Sequence, residues 1–153
     1  LLTGIGYGDL KSLTRDNYKF DREQSKWYLI KNRNKTDVEF KIYLTTRAKR
    51  AFDALQGIAR GEGVLFKLPS LDFMNRQYKL LAREAGITIK VSSYVLRHSF
   101  AVDFMDHHGR IEDLAVILGH KDFETTKIYG KISQRRLQKN IQDLERKSRI
   151  HQL

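Results

Sequence analysis

The chain has no cysteine, which excludes a thiol nucleophile, a thiolate metal site and a disulfide framework together. Histidine, serine, tyrosine, lysine and the acids are left to do chemistry. The five histidines are His98, His107, His108, His120 and His151. None falls in His-Glu-x-x-His spacing, and the adjacent His107-His108 pair cannot reach one metal from one helix face, so no metal site is expected. Gly4-Ile5-Gly6-Tyr7-Gly8 lacks the Gly-Lys-Ser/Thr that would make it a phosphate-cradling loop. The informative stretch runs from 94 to 129. Tyr94-Val95-Leu96-Arg97-His98-Ser99-Phe100-Ala101 is followed by Leu118-Gly119-His120, and nine residues later by Tyr129 in Thr125-Thr126-Lys127-Ile128-Tyr129. A guanidinium offers a planar donor fork to an oxyanion. Imidazole and ammonium groups exchange protons, and a phenol can act as a nucleophile.

These groups sit in a strongly basic chain of 153 residues, with 29 Lys and Arg against 18 Asp and Glu, a formal charge of +11 and a pI near 9.9. A domain this basic usually has a polyanionic partner, most often nucleic acid and less often an anionic membrane; the alternative is simply a basic surface. Residues 31–50 and 131–149 each hold seven basic and two acidic residues. Both segments are interleaved with apolar residues, so they read as folded surfaces rather than tails. Apolar residues make up 41% and charged residues 31%, a globular composition, and no apolar run nears the roughly 18 residues needed to cross a bilayer. The absence of cysteine fits a reducing, cytoplasmic setting. The opening Leu1-Leu2-Thr3-Gly4 has no signal-peptide layout and reads as the start of a fragment.

The elements that must position these groups follow from periodicity. Residues 5–13 predict a short helix with Ile5 and Leu10 or Leu13 inward. Trp27 to Ile30 predicts a strand, and Val38, Phe40, Ile42 and Leu44 alternate with polar neighbours as a second. The turn formers from Asn32 to Asp37 join them into a β-hairpin with Lys35 at or near its tip. Thr45 or Thr46 caps a helix with Ala48, Phe52, Leu55 and Ala59 inward, ended by Gly57, Gly61 and Gly63. Ser70 caps a helix whose inner stripe is Leu71, Met74, Tyr78, Leu81 and Ala85, closed by Gly86. A helix from Ser93 turns Leu96, Phe100 and Phe104 to the core and breaks at Gly109. Ile111, Leu114 and Leu118 mark another, stopped at Gly119, and Thr125 to Tyr129 is helical or a turn. Leu137, Ile141 and Leu144 form a stripe on a basic C-terminal helix. The fold class is α+β, mostly helical, with a small antiparallel hairpin sheet on one side.

The Arg97-His98 segment, Leu118-Gly119-His120 and Tyr129 resemble, in order and separation, elements of the tyrosine recombinase (phage integrase) family. Leu2-Thr3-Gly4-Ile5 looks like its Leu-Thr-Gly-Leu/Ile segment, and Lys35-Thr36-Asp37 like its Lys-Thr-Gly turn. The matches span residues 2–132. The resemblance implies a catalytic-domain helical bundle over residues 1–153, with the family's arm and core-binding domains lying before Leu1. It implies that Tyr129 attacks a DNA phosphodiester to give a 3′-phosphotyrosine and a free 5′-hydroxyl, with no ATP, metal or other cofactor. Arg97 would hold the non-bridging oxygens. His120 would donate to the same phosphate or exchange a proton with Tyr129. Lys35 would protonate the departing 5′-oxygen, and His98 reads as a buried hydrogen-bonding residue. Arg33, Lys41, Arg47, Lys121 and Lys127 are assigned to DNA contacts. The implied partner is double-stranded DNA, with self-association into a tetramer on it, in a prokaryotic cytoplasm and without a membrane.

Two positions depart from the family pattern. Gly6 stands where the family has its first arginine, and Tyr94 where the histidine of His-x-x-Arg belongs. Tyr94 still lies three residues from Arg97 on one helix face and can donate a hydrogen bond, but it carries no charge near neutral pH. Loss of one such transition-state donor costs about 3–4 kcal/mol. Either another cation has moved in, with Lys11 and Arg15 the nearest candidates, or activity is weak. The reading is a site-specific recombinase or integrase of a mobile element. The alternatives are a relative that binds DNA without cutting, and an enzyme like a type IB topoisomerase.

Overall fold

In the computed structural model, which describes residues 2–58, 63–107, 109–131, 137–138 and 141–142, the alternating segments pair into one antiparallel sheet. Its strands β1 (Tyr18–Asp21), β2 (Lys26–Asn32) and β3 (Glu39–Tyr43) lie in sequence order. In β3, Phe40 and Ile42 are buried while Glu39, Lys41 and Tyr43 are exposed, the period-two pattern of a half-buried strand. Leu29 pairs with Ile42 and Lys31 with Phe40, which puts the hairpin tip at residues 33–38. Strand β1 is an addition to the sequence reading. It is a four-residue edge strand, tied to β2 by a turn in which Asp21 Oδ1 accepts from the N–H groups of Glu23 and Gln24.

Helix α1 (Tyr7–Lys11) precedes the sheet, and Ile5, Leu10 and the fully buried Leu13 pack beneath it. Helix α2 (Thr46–Ile58) starts where Thr45 Oγ1 accepts from the Ala48 N–H at 3.2 Å. Its Ala48, Phe52 and Leu55 close the same core with Leu29, Phe40, Ile42, Leu65 and Phe66. Gly57 lies inside α2 instead of ending it. A single glycine costs a helix about 1 kcal/mol, too little to stop one anchored by two buried side chains. Ala59 and Gly61 lie outside the described residues; Gly63 adopts φ +70°.

Helix α3 (Leu71–Glu84) is capped by Ser70 Oγ, which accepts from the Phe73 N–H. Its predicted stripe is rotated: Ala82 is buried and Met74 and Tyr78 half-buried, whereas Leu71, Leu81 and Ala85 are exposed. The reason is that α3 packs chiefly on one helix, α4 (Ser93–Asp106), where Asn75 Oδ1 accepts from the Ser93 N–H. One partner covers only a narrow face. Helices α4, α5 (Ile111–Leu118) and α6 (Glu124–Lys131) enclose a second core of Ala101, Met105, Leu114, Leu118 and Tyr129. Gly109 permits the α4–α5 corner, since a Cβ there would fall 2.5 Å from the Phe104 carbonyl oxygen. Helix α5 also packs on β3 and so joins the two cores. Of the predicted C-terminal stripe, Leu137 and Ile141 are exposed, and Leu144 lies outside the described residues.

Candidate active site

The site is built on the C-terminal end of α5. There the His120 N–H reaches the Ala115 carbonyl (3.1 Å) and the Gly119 N–H the Val116 carbonyl (3.0 Å), with Gly119 at φ +60°. This is a Schellman end, and the left-handed residue it requires explains the glycine of Leu118-Gly119-His120. The last carbonyls carry the partial negative charge of the helix terminus. The Leu118 oxygen accepts from Arg97 Nη2 at 2.6 Å; the Gly119 oxygen accepts from Arg33 Nη1 at 3.3 Å and Thr36 Oγ1 at 3.1 Å. Arg97 also donates from Nη1 to the Gly4 carbonyl at 2.7 Å. Burial, and then the neighbouring Arg33, push Arg97 down to about 10, with Asp9 pulling the other way; it stays cationic at neutral pH.

The hairpin tip is fastened on both sides of Lys35. Besides the Arg33 and Thr36 bonds to Gly119, the Asn34 N–H donates to Asp9 Oδ1 at 2.8 Å, and Asn34 Nδ2 donates to the Gly8 carbonyl and Ser12 Oγ. Asp9 is buried, and its Oδ2 lies 3.6 Å from Arg33 Nε. Lys35 is exposed at the tip.

Tyr129, in α6, is 4% exposed, and its hydroxyl lies 2.6 Å from His98 Nδ1. Burial and the adjacent Tyr94 raise the Tyr129 phenol, while Arg97 lowers it. Burial and Arg97 hold His98 below its ordinary value, which favours the neutral imidazole; in the tautomer protonated at Nε2 its Nδ1 accepts from the phenol. His120 Nδ1 is 2.8 Å from Oγ1 of the fully buried Thr126. Burial, then Arg97, Arg33 and His98, push His120 down to about 4, so it acts as a neutral imidazole. Tyr94 is 68% exposed and stacks edge-on against His98, with ring centroids 4.2 Å apart.

One cavity of about 320 Å³ collects these groups. Tyr129, Arg97, His120, Lys35 and Tyr94 all line it, together with Arg33, His98 and Lys121. Lys41, Arg47 and Lys127 do not. Lys41 lies over the Tyr28 and Tyr43 rings, Lys127 pairs with Glu124, and Arg47 is exposed in the first turn of α2. Lys11 and Arg15, the nearest cations in sequence to Gly6, are exposed and do not line the cavity; Arg33 does, with Arg97, Lys35 and Lys121. Sequence reasoning missed two placements, Arg33 beside Arg97 and Tyr129 as the partner of the hydrogen-bonding His98. Among the described residues no acidic or imidazole cluster could hold a metal, and no helix is long and apolar enough to cross a membrane. Two guanidiniums, two ammoniums and two imidazoles in one cavity with the Tyr129 phenol suit a tetrahedral oxyanion presented to that phenol.

The profile of the phage integrase family matches residues 1–136. The chain belongs to the phage integrase family. A tyrosine recombinase XerD of Shewanella oneidensis is 33% identical over 108 residues, covering 67% of this chain and 34% of the relative. The chain thus spans about a third of that relative's length. The crystal structure of XerA recombinase superposes with a TM-score of 0.70 at 24% identity, covering 93% of this chain and 54% of that one. XerH recombinase bound to a palindromic difH substrate gives 0.73 at 17% identity, covering 94% and 43%. At these identities the structural likeness shows the fold. This integrase-family chain has the mostly helical α+β architecture of a tyrosine recombinase catalytic domain.

Proposed function

We propose that this integrase-family chain is the catalytic domain of a site-specific recombinase of a mobile element, which cuts and rejoins double-stranded DNA through a 3′-phosphotyrosine. The observation that carries the reading is the convergence of the Tyr129 phenol and the Arg97 guanidinium on one cavity. In the cutting step Tyr129 Oη bonds to phosphorus and the bond from phosphorus to the 5′-oxygen breaks. The phenolic proton passes to His98 Nδ1, its present hydrogen-bond partner. Lys35 donates a proton to the departing 5′-oxygen. In rejoining, the 5′-hydroxyl of another strand attacks phosphorus, the tyrosyl ester breaks and the protons return. The energy of the phosphodiester is kept in the covalent intermediate, so neither step requires ATP or a metal.

Arg97 stabilises the charge that spreads over the phosphoryl oxygens. His120, held by Thr126 through Nδ1, donates from Nε2 to the same oxygens when Nδ1 is the acceptor. Lys121 at the rim, with Arg33, draws the DNA backbone in, and the overall charge of +11 favours that polyanion. Assembly into a tetramer on DNA, and residence with DNA in a prokaryotic cytoplasm, belong to the same proposal.

The test is covalent capture. The chain is incubated with a pool of random-sequence duplexes nicked so that the cut fragment diffuses away, and denaturation-resistant adducts are collected and sequenced. The reading expects adducts that Tyr129→Phe abolishes. Salt-sensitive binding without any adduct would establish the binding-only alternative, and site-independent relaxation of plasmid the topoisomerase-like one.

A further inference from the structure

We infer that Arg33 is a second phosphate-binding guanidinium of this site, supplied from the β2–β3 hairpin beside Arg97. The inference rests on the recombinase reading above. A Cβ placed on Gly6 would lie 3.2 Å from Asp9 Oδ2 and 3.7 Å from Arg97 Nη1, so that position looks directly onto Arg97 and its nearest carboxylate. Arg33 reaches the same carboxylate oxygen from the other side, with Nε 3.6 Å from Asp9 Oδ2. Its Nη1 donates to the Gly119 carbonyl, adjacent in the chain to the Leu118 carbonyl that holds Arg97. Gly119 also makes room, since a Cβ there would come within 3.3 Å of Arg33 Cδ.

The electrostatics point the same way. Of two half-buried guanidiniums, Arg33 pairs with the buried Asp9 and Arg97 is held by the Gly4 and Leu118 carbonyls, which leaves one positive charge over at the cavity wall. Burial first, and then the neighbouring Arg33, depress Arg97. Arg33 Nε is buried without a hydrogen-bond acceptor, and among the described residues the guanidinium uses one of its five donors, Nη1 to the Gly119 carbonyl. Arg33 Nε faces Asp9 Oδ2 at 3.6 Å, beyond a good hydrogen bond, so the ion pair leaves that donor unsatisfied. A phosphodiester carries the single negative charge and the oxygen acceptors this arrangement lacks. Asp9 is then a positioning residue: it holds Asn34 and faces Arg33, fixing the hairpin that carries the guanidinium.

The experiment uses a nicked duplex captured by the wild-type chain, made with an ordinary scissile phosphodiester or with a neutral methylphosphonate at that position. Arg33→Ala should slow adduct formation on the phosphodiester about 10²–10³-fold. On the methylphosphonate, which has no charge to neutralise, it should fall within about tenfold of wild type, because the loss is specific to phosphate charge. Arg33→Lys keeps the charge and the fold but loses the fork, and should lie between the two. Equal losses on both substrates, or wild-type rates for both variants on the phosphodiester, would overturn the inference alone. A wild-type chain that forms no adduct would overturn the recombinase reading and this inference with it.

Discussion

Asp9→Asn removes the carboxylate that pairs with Arg33 and also favours the charged Arg97, while keeping the shape of the side chain. The Asp9 side chain is 7% exposed and that of Arg33 18%, so solvent screens their attraction only in part. Breaking a buried pair by removing one partner typically costs about 3–5 kcal/mol. Here Nε and Oδ2 are 3.6 Å apart, beyond a good hydrogen bond, and asparagine keeps an oxygen for the Asn34 N–H. The expected loss is therefore about 2–3 kcal/mol. For a domain of this length that lowers Tm by about 5–10 °C. Thermal melts followed by circular dichroism read the shift. Two further outcomes distinguish electrostatics from packing. Arg33→Met introduced alongside Asp9→Asn should restore part of the stability, since one unpaired charge is gone. Inorganic phosphate should raise the Tm of Asp9→Asn more than that of wild type. A melt within about 1 °C of wild type, with no differential response to phosphate, would refute the claim that Asp9 stabilises the two cations.

The remaining predictions concern the imidazoles and the α5 terminus. His98 and His120 are both held below their ordinary values when folded, so the unfolded chain binds more protons and stability rises with pH. The His120 contribution is fully present above about 6.5 and is lost as pH falls towards about 4, by about 1–2 kcal/mol after solvent screening, and His98 acts in the same direction. Urea melts across that window should show the loss, and His120→Gln should flatten it. Gly119→Ala places a Cβ on a residue at φ +60° and 3.3 Å from Arg33 Cδ. It should cost about 1–2 kcal/mol of stability and slow adduct formation by displacing Arg33, read by melts and single-turnover capture.

Local pattern made much of this site legible. Tyr129, Arg97 and His120 lie in motifs whose structural meaning is local: a helix carrying Arg97, a Schellman end at Gly119, and a short helix carrying Tyr129. Lys35 was placed by the turn formers around it and by the alternation of β3. What escaped is long-range. Arg33 meets Gly119 across 86 residues and His98 meets Tyr129 across 31, and such pairs leave no periodic trace. Linear distance from Gly6 points to Lys11 and Arg15, neither of which lines the cavity. The antiparallel hairpin instead brings Arg33 back to α1. The face of α3 was misread for a related reason: Leu71 and Leu81 continue an amphipathic stripe, but the stripe is wider than the contact with α4, and only the neighbour decides which part is buried. Strand β1 was missed because an edge strand of four residues with two partly exposed aromatics barely alternates.

Two phenols line the cavity, the buried Tyr129 and the exposed Tyr94, so the identity of the nucleophile is the most direct test of the account. The covalent adduct, digested with nuclease and trypsin, can be sequenced by tandem mass spectrometry. The account predicts a nucleotide joined through its 3′-phosphate to Tyr129, with a 5′-hydroxyl on the released strand. A remnant on Tyr94, or one attached through a 5′-phosphate, would contradict it.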